Sequence, residues 1–167
     1  MLNEKLPGTP MSSEEFEKAI TIEDHPALEY AWDDGVAIGR YLKELKNGRI
    51  VARTCSGCDR IMIPPRMFCE LCWRPTDEWH FVKDTGVVNT FAVTRVNWDA
   101  SRRGPNEPPL MPAVIEIDGA SKGMGILHLL GDVDPKKVKI GMKVKAVWKP
   151  EKERTGAITD IKYFKPY

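Results

Sequence analysis

Cys55-Ser56-Gly57-Cys58-Asp59-Arg60-Ile61-Met62-Ile63-Pro64-Pro65-Arg66-Met67-Phe68-Cys69-Glu70-Leu71-Cys72 holds every cysteine of the chain, as two C-x-x-C pairs ten residues apart. A C-x-x-C knuckle folds back so that its two thiolates face one point, and two knuckles supply four soft ligands. Four thiolates form a closed tetrahedral set suited to a structural Zn²⁺, although iron accepts the same donors. Disulfides are the competing use of four cysteines. They belong to oxidising compartments and cysteine-dense domains, whereas this chain spreads only four over 167 residues. Cys55, Cys58, Cys69 and Cys72 are therefore the expected metal ligands. Gly57 suits the tight turn of the first knuckle. Ile61–Ile63 reads as a short hairpin strand that Pro64-Pro65 stops. Trp73 and Trp79 are the large side chains expected to cover the site. His80 is read as a residue of the strand Trp79–Val82, not as a ligand.

Upstream, residues 1–46 hold five Lys/Arg and ten Asp/Glu, a net of −5; the remainder holds 20 and 14, a net of +6. An acidic head on a basic body suggests separate partners for the two ends. Ser12 with Glu15 three residues on is a capping box, predicting a short first helix that ends near Ile22. A second helix is expected after Asp24, with Pro26 in its first turn and Gly48 as its stop. Leu28, Trp32, Val36, Leu42 and Leu45 are its apolar stripe, and Gly35 and Gly39 weaken it. With little core of their own, these helices are expected to dock on another polypeptide or a second copy. Residues 49–54 form the strand entering the first knuckle.

From Gly86 onward the pattern is all-β. The expected strands are 87–94, 113–117, 124–130, 143–148 and 157–164. In 143–148 apolar and basic residues alternate, leaving one face buried and the other wet and positive. The longest loops separate the first two strands and the last two. Five such strands suggest an OB-type barrel. Its loops carry Arg102 and Arg103 on one side and Lys149, Lys152 and Arg154 on the other. Together these five cations are a candidate site for an anion such as the phosphates of CoA. The second and third barrel strands contain no Phe, Tyr or Trp. An aliphatic face suits an acyl or pantetheine chain better than stacked bases, although nucleic-acid binding is the main alternative for a ribbon beside an OB-fold.

No run of residues is long and apolar enough to span a membrane, and the acidic N-terminus has no apolar signal core, so the cytoplasm is the expected location. No G-x-S-x-G, H-E-x-x-H or Walker loop occurs. His25, His80 and His128 are scattered, and the four cysteines are committed to the metal.

Cys55-x-x-Cys58, Pro64-Pro65-Arg66 and Cys69-x-x-Cys72, followed by five strands, resemble a family that joins a rubredoxin-like zinc ribbon to an OB-fold. It was long catalogued as a domain of unknown function and is now described as acyl-CoA-associated. Pro112–Ile115 and Ile140–Val144 look like its barrel motifs. One residue departs from it, Asp59 standing where the family often has glycine. The resemblance implies a mainly β chain with an N-terminal helical hairpin (residues 1–48), a zinc ribbon (49–83) and an OB-fold (84–167). It also implies a non-catalytic partner of a thiolase, a hydroxymethylglutaryl-CoA synthase or a related acyl-CoA enzyme, helping to form or bridge a CoA site.

Overall fold

The computed structural model describes residues 8, 10–19, 27, 29–97 and 99–167. By its contacts the chain divides into two units, Met1–Trp32 and Asp33–Tyr167. In the first, α1 (Ser13–Glu17) has the expected capping box: the Glu15 amide donates to Ser12 Oγ while the Ser12 amide donates to the Glu15 carboxylate. The expected helix end at Ile22 and the start after Asp24, with Pro26 and Leu28, lie outside the described residues.

The second helix starts later than expected. α2 spans Gly35–Lys46, and residues 29–34 are not helical. Gly35 has φ +69°, which breaks helical continuity with the residues before it, and the Asp33 carboxylate caps its amide. The buried stripe is consequently Ala37, Tyr41 and Leu45, not Trp32 and Val36; Trp32 is 86% exposed. Leu42 is half-buried against the core, as the expected stripe requires in part. The helix ends where Gly48 predicts. Gly48 sits at φ +71°, its amide donates to the Leu45 carbonyl, and the Arg49 amide donates to Glu44, the Schellman arrangement.

β1 (Ile50–Cys55), β2 (Arg60–Met62) and β3 (Trp79–Val82) form an antiparallel sheet in the order β2-β1-β3. β4 (Thr85–Phe91), β5 (Pro112–Ile117), β6 (Gly125–Leu129), β7 (Lys143–Trp148) and β8 (Ile161–Pro166) form a second, in the order β6-β5-β4-β7-β8. This sheet curls until Leu130, just past β6, bridges Phe164 of β8 in parallel. One bridge is not a ladder, so the OB-fold sheet stops short of a closed barrel. Alternation drives the burial: Ala113, Ile115 and Ile117 point inward from β5, and Val144 and Ala146 from β7. The first strand stops at Phe91, short of the expected 94. Beyond it the chain continues as an irregular arm, with Thr94 and Leu110 exchanging both backbone bonds.

The last strand also begins later than expected, at Ile161. Residues 157–160 are taken by a turn around Asp160, which is fully buried. Its carboxylate accepts the amides of Thr155, Gly156 and Ala157. A buried carboxylate must be satisfied, and serving it costs the chain four strand residues.

The two sheets share one core, in which Leu45, Val51 and Met62 join Ile117, Val144, Ile161 and Phe164. The β2 hairpin is tied to the β5–β6 turn at Ile61, whose amide donates to Ser121 Oγ (2.8 Å) and whose carbonyl accepts the Ser121 amide (3.0 Å).

Candidate metal centre and ligand face

The two knuckles bring the sulfurs of Cys55, Cys58, Cys69 and Cys72 within 4.8 Å of one another. Cys55 ends β1, and Cys69 opens the second knuckle; both are fully buried, whereas Cys58 is exposed. The Cys58 amide donates to the Cys55 carbonyl three residues back, and the Trp73 amide to the Cys69 carbonyl four residues back, so the two turns are closed by bonds of different span. The residue after each knuckle, Asp59 and Trp73, is left-handed at φ +55° and +52°. Aspartate tolerates this conformation better than most side chains. Gly57 is not left-handed. A β-carbon there would press on the exposed Arg74 side chain at 3.0 Å and touch Cys72 Sγ at 3.5 Å, so glycine gives this knuckle close packing without displacing Arg74.

The donor set fits a tetrahedral metal. Metal–sulfur bonds of about 2.3 Å set a tetrahedron edge of about 3.8 Å, and Cys58 and Cys69 Sγ are 3.7 Å apart. The Cys72 amide, with that of Leu71, draws the Cys69 thiol down to about 7. The Cys58 side chain, with burial and the other sulfurs, pushes Cys72 up to about 12. Four sulfurs this close cannot all ionise unless a cation sits among them. The ribbon therefore has the chemistry of a structural metal site.

Around it, the expectation for Trp73 fails, whereas Trp79 packs half-buried against the core that holds Cys55 and Cys69. Trp73 does not roof the cluster; its left-handed backbone turns the ring outward, and it is 85% exposed. Trp79 also meets the guanidinium groups of Arg40 (4.5 Å) and Arg53 (4.6 Å). Residues that the sequence did not single out hold the knuckles. Buried Arg53 donates to Thr76 Oγ1 and to the Thr76 and Asp77 carbonyls, clamping the chain as it leaves the second knuckle. The Asp77 carboxylate accepts the Ser56 amide of the first knuckle at 2.6 Å; that bond, foremost, holds its pKa below the ordinary value. Glu70 pairs with Arg60 and Arg66. An arginine between Ala52 and Thr54 of a strand gives no sign in one dimension that it is buried. His80 is an exposed residue of β3, and the cluster consists of the four cysteines.

On the five-stranded sheet, Pro112 and Val114 of β5 pair with Leu129 and Leu127 of β6 on the outer face, with Leu127 70% exposed. Shallow grooves run along it, one bounded by Phe91 and Ala92, the other by Ile158 and Thr159. His128 is spent structurally: Nδ1 accepts the Leu129 amide, so Nε2 carries the proton and donates to the Ile158 carbonyl.

The five candidate cations are not gathered at one point. By register, the loop with Arg102 and Arg103 leaves the Phe91 end of β4, and the loop with Lys149, Lys152 and Arg154 lies at its Thr85 end. Arg103 donates to the Pro108 carbonyl and Asn97 Oδ1 within its own loop. Arg154 donates to the Lys149 carbonyl and lies over Trp148. Arg102 and Lys152 are exposed, and Lys149 is half-buried.

Residues 42–78 match the ChsH2 rubredoxin-like zinc ribbon domain, and residues 79–149 match the ChsH2 C-terminal OB-fold domain. A DUF35 domain-containing scaffold protein of Methanocaldococcus jannaschii is 32% identical over 120 residues, covering 70% of this chain and 81% of that protein. Two solved structures share the fold. A DUF35-family protein of unknown function from Sulfolobus solfataricus superimposes with TM-score 0.58 at 21% identity, covering 77% of this chain and 83% of its own. A chain described as the Ltp2-ChsH2(DUF35) aldolase gives 0.55 at 22%, covering 85% and 98%.

Proposed function

This chain belongs to the DUF35 family, and on that footing we propose that it is a non-catalytic accessory subunit, a scaffold for an acyl-CoA enzyme of thiolase or hydroxymethylglutaryl-CoA synthase type. The M. jannaschii relative is named a scaffold, and the aldolase pairing Ltp2 with a DUF35 chain is a precedent for this fold beside an enzyme. The observation that carries the reading is the outer face of β5 and β6. It is aliphatic over Pro112, Val114, Leu127 and Leu129, and its carboxylate, Glu116, is held by Asn89 and the Gly123 amide, which suits an enzyme surface or an acyl-pantetheine arm.

The proposed metal is Zn²⁺, held by Cys55, Cys58, Cys69 and Cys72. A closed four-thiolate set leaves no open coordination position, so the ion's work is to hold the two knuckles together. Arg102 and Lys152, exposed and outside any ion pair among the described residues, are the cations left to meet CoA phosphates. The N-terminal unit, which exposes Phe16, Tyr30 and Trp32 in an acidic segment, is a second contact to the enzyme or to another copy. The proposed location is the cytoplasm, where thiols remain reduced.

The test is tagged full-length chain purified from its native source, with bound proteins identified and CoA titrated by calorimetry. An acyl-CoA enzyme that co-purifies, and is lost from Leu127→Asp while stoichiometric zinc remains, supports the proposal. Removing residues 1–32 should weaken the association and leave the zinc. Absence of any acyl-CoA enzyme, with tight single-stranded oligonucleotide binding, would replace it with the nucleic-acid reading. A red protein holding iron would replace the metal assignment alone.

A further inference from the structure

Between Pro135 and Pro150 the chain carries six lysines and no acid. β7 lies in this run, and its alternation turns Lys143 and Lys145 outward above buried Val144 and Ala146. Lys145 stands directly opposite Lys165 of β8, and both are exposed. Like charges facing each other across an antiparallel pair destabilise it. On the other flank, Lys145 and Lys143 face Thr85 and Val87 of β4, which offer no compensating charge. The acids of the neighbouring strand are engaged elsewhere: Glu116 accepts from Asn89 and the Gly123 amide, and Asp118 accepts the Thr85 hydroxyl. Among the described residues every ion pair is made by an arginine, none by a lysine.

A sheet face that needs only to be wet is served best by mixed charges, which attract across strands instead of repelling. The charges that β7 and β8 themselves turn outward here, Lys143, Lys145 and Lys165, are of one sign and are held against their own strand pairing; the carboxylate bonded to the face, Asp132, lies outside the two strands on the Tyr163 hydroxyl. We infer that the outer face of β7 and β8 is a docking surface for an acidic region of a protein partner. The chemistry of lysine points that way. Its ammonium is a mobile, strongly hydrated point charge that attracts an acidic surface at long range and speeds encounter. Phosphate-binding faces use the fork of arginine, and single-strand-binding faces add stacked aromatics; the run from Pro135 to Pro150 contains no arginine, its one aromatic, Trp148, is half-buried beneath Arg154, and Tyr163 of β8 is half-buried with its hydroxyl tied to Asp132. Ile140, 69% exposed at the turn before β7, adds a short-range apolar contact. One isoleucine is too little to enter a bilayer, where an apolar face must be buried. The inference rests on this face alone and holds whichever enzyme the chain serves.

The test uses the full chain, with labelled poly-L-glutamate as the acidic probe. A single-stranded oligonucleotide and phosphatidylserine vesicles are titrated in parallel, at low and at physiological salt. Wild type binds poly-L-glutamate with an affinity that falls as salt rises. Lys145→Glu weakens that binding by roughly tenfold and at the same time raises Tm, because the repulsive pair with Lys165 becomes attractive. Lys165→Gln weakens binding in the same sense from the other strand, so the result does not hang on one variant. Lys122→Glu, the same charge change at an exposed position on the β5–β6 turn, leaves binding unchanged. Binding that survives both strand variants, or that Lys122→Glu weakens equally, overturns the inference. So does an absence of poly-L-glutamate binding; oligonucleotide or vesicle binding that then persists at physiological salt reassigns the face to nucleic acid or to membrane.

Discussion

In the ribbon the buried centre is sulfur, and in the five-stranded sheet it is hydrocarbon. Cys55 and Cys69 are fully buried where the knuckles meet; of the nearby tryptophans, Trp73 stands in solvent and Trp79 packs half-buried against the core beside two arginines. The sheet closes over Ile115, Ile117, Val144, Ile161 and Phe164, whose packing needs no ion. A three-stranded sheet with two tight turns has too little apolar area to hold itself. The contrast therefore locates the dependence on metal: the ribbon needs it directly, and the sheet only through the core they share.

Removing one thiolate tests that contrast most severely. Cys69→Ser should abolish stoichiometric metal and lose roughly 5 kcal/mol or more, since metal-binding energy is folding energy in so small a module. Elemental analysis and thermal melts would show it, and a variant that keeps its Tm would break the comparison. Phe164→Ala should cost about 3–5 kcal/mol by cavity formation while leaving one metal per chain in the folded fraction. Metal loss below the melt would mean that the two regions are not distinguishable in this way.

Asp160 sharpens the contrast from the sheet side. Burial opposes its charge, but the amides of Thr155, Gly156 and Ala157 outweigh that, and its pKa is lowered. The stabilisation is therefore present above the ordinary aspartate pKa and is lost as pH falls through the depressed folded value. Asp160→Asn should cost about 1–3 kcal/mol near neutral pH and flatten the acid limb of a stability-versus-pH curve. An unchanged acid limb would remove Asp160 from the account. The smallest effect concerns Trp73, which is left-handed and in solvent. Trp73→Gly should stabilise the metal-loaded protein by about 1 kcal/mol through relief of that conformation; a fall in Tm would show that the exposed ring does hidden packing.

The sequence carried the two regions unequally. The gathering of the four cysteine sulfurs was legible because C-x-x-C spacing is a local property. Lys143–Trp148 was legible to the residue because period-two alternation is also local, and Trp79–Val82 has the bounds expected of it. What failed was what depends on distant partners. The final strand yields its first four residues to a carboxylate whose burial the sequence does not announce. The helix stripe was drawn through Gly35, whose left-handed turn shortens α2. The cations of the two long loops were read as one site, although Arg103 and Arg154 each serve their own loop.

The bond pair between Ile61 and Ser121 has one more consequence. β2 is an edge strand of three residues, and Arg60 and Met62 face β1. Ile61 is thus the residue whose amide and carbonyl point away from the sheet, and Ser121 takes both. Edge strands with free backbone groups are templates on which other chains add and aggregates grow. Here the template is sealed from within by a turn of the neighbouring sheet, so this margin of the ribbon offers no rung for a stranger to climb.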